Sequence, residues 1–216
     1  MTGNRVVTPM ATKESSDEFN PPVVTTDVVI TKRRVALSPK DYLARAIATC
    51  GVGYLPLAPG TWGSIFAVGL YLLWQLLKME FFRAFGEGHG IHGRFISLWF
   101  ACTLVGVLCI TMAGLWAANR VEALSGRKDP STVVIDEVAG QLITFLVLPI
   151  VGPIQWTLVI AGFLLFRAFD IWKPYPIRRL ESLEAGLGVM ADDVLAGAYA
   201  ATVLALLTSA YLFWIF

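Results

Sequence analysis

The chain has 216 residues, 56% of them hydrophobic and only 15% charged, and its mean hydropathy is +0.65. A soluble domain carries about 25% charge, so this composition points to a membrane-embedded protein. The formal net charge of +1 offers no basic patch of the kind that nucleic-acid binding requires.

Residues 1–34 contain no apolar run, and Thr12 to Asn20 is polar and acidic, so no cleavable signal peptide is expected. The segment reads as a disordered tail, with 35–216 as a single helical membrane domain. Ser38-Pro39-Lys40-Asp41 then opens a helix: Ser38 suits the cap, Pro39 the first turn, and Asp41 stands at capping-box distance. This helix, about 39–49, carries Leu43, Ala46 and Ile47 on one face. It is too short to span a bilayer and is expected either at the interface or packed under the bundle. Gly51-Val52-Gly53 breaks it.

Five apolar spans follow, at about Thr61–Leu77, Phe95–Ala117, Val133–Leu148, Ile154–Trp172 and Val194–Phe216. A spanning helix needs roughly 17–25 residues, which makes the third marginal. Pro149, Gly152 and Pro153 form a tight turn that makes the third and fourth antiparallel. The expected fold is therefore an all-α, multihelical membrane bundle of about five spans preceded by a short amphipathic helix. With the N-terminus inside, inner segments hold thirteen Lys and Arg against three in the outer loops. That bias favours a cytoplasmic N-terminus.

This topology brings four helix ends to the cytoplasmic side, and three carry acids: Asp136-Glu137, Asp170 and Asp192-Asp193. Carboxylates beside a bilayer are costly and mark function. One acid at a helix start is explained by the helix dipole, a pair less well. Arg167, Asp170 and Lys173 share a helical face, which by itself reads as an ion-pair ladder. Yet Asp170 sits at a helix end, where the dipole opposes an anion. Gly186-Leu-Gly188 leads toward Asp192-Asp193 as a glycine-bearing loop feeding a helix start. Hard oxygen ligands of this kind suit Mg²⁺ shared with phosphate, so Asp136, Glu137, Asp170, Asp192 and Asp193 form the candidate metal set. The fourth end, Pro59-Gly60-Thr61-Trp62-Gly63-Ser64, reads either as an ordinary helix start or as a phosphate cradle of Gly60, Thr61 and Ser64. His89 and His92 lie in a glycine-rich outer loop, away from the acids, and read as loop residues.

A cysteine nucleophile of the phosphate-transfer type needs Arg six residues downstream, but those positions are Pro56, Leu108 and Leu115. Cys102 and Cys109 share one apolar span and read as small hydrophobes. A cation- or proton-coupled transporter remains the alternative from another class, and a membrane scaffold a third.

Three stretches, GVGYLPLAPGTWGS from Gly51, STVVIDEVAGQLIT from Ser131 and GFLLFRAFDIWKPYPIRRLESLEAGLGVMADDVLAG from Gly162, resemble the phosphatidylglycerophosphatase A family, over residue 40 to the C-terminus. The tail of about 35 residues departs from that pattern. The resemblance implies a Mg²⁺-dependent lipid phosphatase of the bacterial inner membrane that acts on phosphatidylglycerophosphate from the cytoplasmic face. On this reading Asp136, Asp170, Asp193 and Lys173 are catalytic, and Arg167 and Lys173 bind the phosphate with Gly60, Thr61 and Ser64.

Overall fold

The computed structural model describes residues 37–85, 92–128, 130–149, 154–180 and 186–215. The tail expected at 1–34 and His89 lie outside these residues. Among the described residues seven helices run in order: α1 (Pro39–Thr49), α2 (Pro59–Phe85), α3 (His92–Ser125), α4 (Ile135–Phe145), α5 (Trp156–Trp172), α6 (Ile177–Leu180) and α7 (Gly186–Ile215). No strand occurs among the described residues.

Three helices, within α2, α3 and α7, are long and apolar enough to cross a membrane. At 1.5 Å per residue the 27, 34 and 30 residues of α2, α3 and α7 exceed the hydrocarbon core of about 30 Å. The other two expected spans are shorter. α4 has 11 helical residues, about 16 Å, and α5 has 17, about 25 Å. Both keep their acid-bearing ends at one place, α4 at its start and α5 at its finish. The pair is a hairpin that leaves the site and returns to it, so α7 begins on the same side however deep the hairpin reaches.

α1 matches its expected limits, and Asp41 Oδ2 accepts from the Ser38 N–H at 2.7 Å. Its buried face is not the one that carries Leu43 and Ala46. Asp41, Ala44, Ala48 and Thr49 are buried, while Leu43 is 55% exposed. The reason is that α1 packs on α3 and the segment before α4 through small residues. Ala44 and Ala48 meet Ala117, Ala118 and Val133 in one cluster, and Val134 N–H donates to the Ala48 carbonyl at 2.9 Å. Asp41 also accepts from Arg120 Nε of α3 at 2.7 Å.

Much of the bundle shows the same inversion: Leu73, Leu77, Leu108 and Leu206 face outward, while Ala67, Ala117, Ala139, Ala196 and Ala200 are buried. In lipid there is no hydrophobic drive between helices, so close backbone packing takes over. The seam of α4 on α7 shows it. A methyl on Gly197 would overlap the Gly140 carbonyl, and one on Gly140 would meet the Asp193 carbonyl and the Phe166 ring. Thr144 Oγ1 donates to the Gly140 carbonyl at 3.1 Å and reaches the Gly197 carbonyl at 3.3 Å.

Candidate active site

Asp136 and Glu137 are the second and third residues of α4, where an anion complements the helix dipole. Asp170 lies in the last turn of α5, where the dipole opposes it. Arg167, one turn earlier, offsets that cost: its Nη1 donates to Asp170 Oδ2 at 2.6 Å, with both side chains largely buried. Asp192 and Asp193 were expected at a helix start after a glycine loop. Instead α7 opens at Gly186, which puts both acids in its second turn. The early start has a local cause. The Gly186 N–H is capped by Asn119 Oδ1 of α3 at 2.8 Å, and a side chain at Gly186 would strike the Asn119 and Ala118 main chain.

Packing α4 on α7 then brings three carboxylates together. Asp136, Glu137 and Asp193 each offer an oxygen within 4.8 Å of the others. Asp136 and Asp193 are buried and Glu137 is partly so. Asp170 is near enough to interact with both Glu137 and Asp193. Asp192, expected in the metal set, turns aside: its Oδ2 accepts from Lys173 Nζ at 2.7 Å. Lys173 itself ends α5 with a left-handed backbone, φ 46°, which directs the chain out toward Pro174. The expected ladder therefore divides, with Arg167 on Asp170 and Lys173 on Asp192.

The glycine segment before and within α2 closes the site. A methyl on Gly60 would overlap Glu137 Oε1 and lie 3.2 Å from Arg167 Nη1. One turn on, a methyl on Gly63 would lie 2.9 Å from the Val134 carbonyl and 3.4 Å from Glu137 Cβ. These contacts press the start of α2 against Glu137 and Arg167 together. The expected cradle is smaller than its sequence suggested, because α2 begins at Pro59. The Thr61 and Trp62 amides already donate to the Ala58 carbonyl, and the buried Ser64 hydroxyl donates to the Gly60 carbonyl at 3.1 Å. Gly60 thus faces the site, Thr61 stands partly exposed in the same turn, and Ser64 is turned inward. His92 opens α3, at the opposite end of that helix from Asn119.

The field of the cluster reaches α1. Burial, and secondly the Glu137 carboxylate, pushes the Cys50 thiol at its end up to about 11.

The donor set fits a small hard cation. Mg²⁺ binds oxygen at about 2.1 Å, so ligands across it stand about 4.2 Å apart. Oxygens within 4.8 Å need close by only a few tenths of an ångström to hold it. Three mutually close carboxylates, with Asp170 beside Glu137 and Asp193, also repel one another, and a shared cation relieves that repulsion.

Sequence reasoning passed over Gln141, a fully buried glutamine one turn below Glu137, and Asn119, the cap of α7. Gln141 was visible as the one amide in the apolar run Val138–Phe145. Asn119 carried no sequence signal, since its partner is 67 residues away.

The family model for phosphatidylglycerophosphatase A matches residues 46–208. The chain is 40% identical over 153 residues to a Bacteroides thetaiotaomicron protein named "Putative phosphatidylinositol-3-phosphatase", covering 69% of this chain and 82% of that one. It is 36% identical over 156 residues to a Haemophilus influenzae phosphatidylglycerophosphatase A, covering 71% and 80%. Against the Escherichia coli protein of that name it is 32% identical over 155 residues, covering 71% and 76%. No solved structure matches the chain.

Proposed function

We infer from this geometry, and from the fact that the chain belongs to the phosphatidylglycerophosphatase A family, that it hydrolyses the terminal phosphomonoester of phosphatidylglycerophosphate to phosphatidylglycerol and phosphate. The observation that carries the reading is the meeting of Asp136, Glu137 and Asp193 against Gly60 and Arg167. Mg²⁺ held by these carboxylates would neutralise the phosphate and make a bound water acidic enough to attack. Arg167 is the group for the phosphate's own oxygens. Asp170 fixes one face of its guanidinium at 2.6 Å, leaving a planar fork of donors suited to phosphate. Charge that grows on the phosphoryl oxygens in the transition state is stabilised there without reorganisation. Lys173 acts at one remove, holding Asp192 beside Asp193.

The acids occupy the first turn of α4, the last of α5 and the second of α7, at one end of the bundle. A transporter carries its acids near mid-membrane on broken helices, which this arrangement lacks. A lipid whose acyl chains stay in the bilayer presents its phosphomonoester at that level. The Lys and Arg bias supports a cytoplasmic orientation for this end, and the bacterial relatives support the inner membrane as its location.

The similarity to the Bacteroides protein favours a second substrate reading, phosphatidylinositol 3-phosphate. Both lipids carry a phosphomonoester, so the carboxylate and Arg167 chemistry is common to them. Phosphate release from each lipid by the purified protein, with EDTA and with Mg²⁺, decides. The expected result is higher kcat/KM on phosphatidylglycerophosphate, abolished by EDTA and restored by Mg²⁺. Preference for the inositol lipid overturns the substrate, and full turnover in chelator overturns the metal.

A further inference from the structure

Gln141 is fully buried in α4, yet neither its amide oxygen nor its amide nitrogen has a hydrogen-bond partner. A buried amide left unsatisfied at both ends is costly and needs a reason. Glu137, four residues earlier, has the matching feature: Oε2 is buried without a partner, while Oε1 is the oxygen pressed against Gly60. Residues four apart lie one above the other on a helix. Helical side chains lean toward the N-terminus, which brings the Gln141 amide back toward the level of Glu137. That face of α4 is turned to α2, since Gly60 and Gly63 both abut Glu137. Three unsatisfied groups, Glu137 Oε2 and the two ends of the Gln141 amide, therefore share one stretch of one helix face. A buried water makes about three hydrogen bonds, and these three groups supply them.

We propose that Gln141 is a positioning residue for Glu137. Its amide holds the inner oxygen of that carboxylate through one bridging water and fixes the rotamer in which Oε1 faces Gly60. This inference rests on the reading of Glu137 as a metal-holding carboxylate. Ligands of that kind are oriented by hydrogen bonds behind them, and loss of such a bond weakens metal affinity or activity about 10–100-fold.

The test compares wild type with Gln141→Leu and Gln141→Glu in detergent. It reads the unfolding temperature in EDTA, the Mg²⁺ concentration that half-saturates the rise in that temperature, and kcat. Leu fills a similar volume without the amide, so the variant is expected to stay folded, with an unfolding temperature in EDTA close to that of wild type. The Mg²⁺ midpoint is expected to move up about tenfold or more, with kcat down about 10–100-fold. Glu keeps the shape but loses the donor, and the same direction is expected. An unchanged Mg²⁺ midpoint and kcat in either folded variant overturns the proposal. So does a fall in unfolding temperature with the midpoint unmoved, which marks a packing role alone. Wild-type turnover that survives EDTA overturns the metal reading instead. This inference is then decided by kcat of the folded variants.

Discussion

Adding one methyl at Gly60 tests the site by displacing a single oxygen. The new carbon would fall well inside contact distance of Glu137 Oε1, whereas carbon and oxygen normally pack at about 3.3 Å or more. Oε1 has to retreat by about 1 Å. Glu137 can do so, because the obstructed atom ends a flexible side chain, and Gly60 has no positive φ that alanine would strain. The damage therefore falls on the chemistry and spares the fold. A misplacement of about 1 Å costs about 100-fold, or about 2.7 kcal/mol of transition-state stabilisation at about 1.36 kcal/mol per decade. Phosphate release by Gly60→Ala in mixed micelles, beside its unfolding temperature, measures both quantities. Gly69→Ala is the control. Its methyl meets open space within the same helix, so turnover stays and stability rises by about 0.5–1 kcal/mol. If Gly60→Ala turns over within about threefold of wild type, Gly60 does not confine Glu137 and the reasoning fails.

Asp136→Asn and Asp193→Asn are each expected to lower kcat about 100-fold or more, and the double variant to lose much less than the product, because the carboxylates act as a unit. Asp192→Asn, whose carboxylate pairs with Lys173, should leave the Mg²⁺ midpoint in place. Gly197→Ala sets a methyl against the main chain of Gly140, which cannot swing away, and should destabilise by about 1–3 kcal/mol in denaturation. The Ser38 N–H, and next Arg120, hold the Asp41 carboxyl below the usual carboxylate range. Its stabilising effect is thus complete above the unfolded value near 3.9 and disappears as pH falls through the lowered folded value. The unfolding temperatures of wild type and Asp41→Asn should differ at pH 6 and converge toward pH 3. Tags at residues 125 and 182 should report the cytoplasm and one after Phe216 the opposite side. A cytoplasmic C-terminus refutes the orientation.

The helix limits were legible where local chemistry sets them. Pro39 with Asp41 marked α1, and the expected span ending at Trp172 marked the end of α5. The gathering of Asp136, Asp170 and Asp193 was legible because span alternation alone puts those ends together. What escaped the sequence was set by partners far along the chain. Asn119 starts α7 early and so moves Asp192 and Asp193 into the helix. Small residues draw the polar-looking side of α1 inward and leave Leu43 outside, the reverse of a water-soluble helix. The depth of the α4–α5 hairpin was illegible too, since an apolar stretch looks alike whether it is helical throughout or for 11 residues.

The glycine seam between α4 and α7 sets the gauge of the clustered carboxylate oxygens. Where Gly140 meets Gly197, the gap between two helices is the thickness of two bare peptide chains, a fixed dimension with no smaller residue available to reduce it. The separation of Asp136 from Asp193 cannot be retuned in small steps, because every substitution at the seam is an enlargement. A lineage built on this scaffold can change which headgroup it accepts only away from the seam, while the ruler at the centre stays the same.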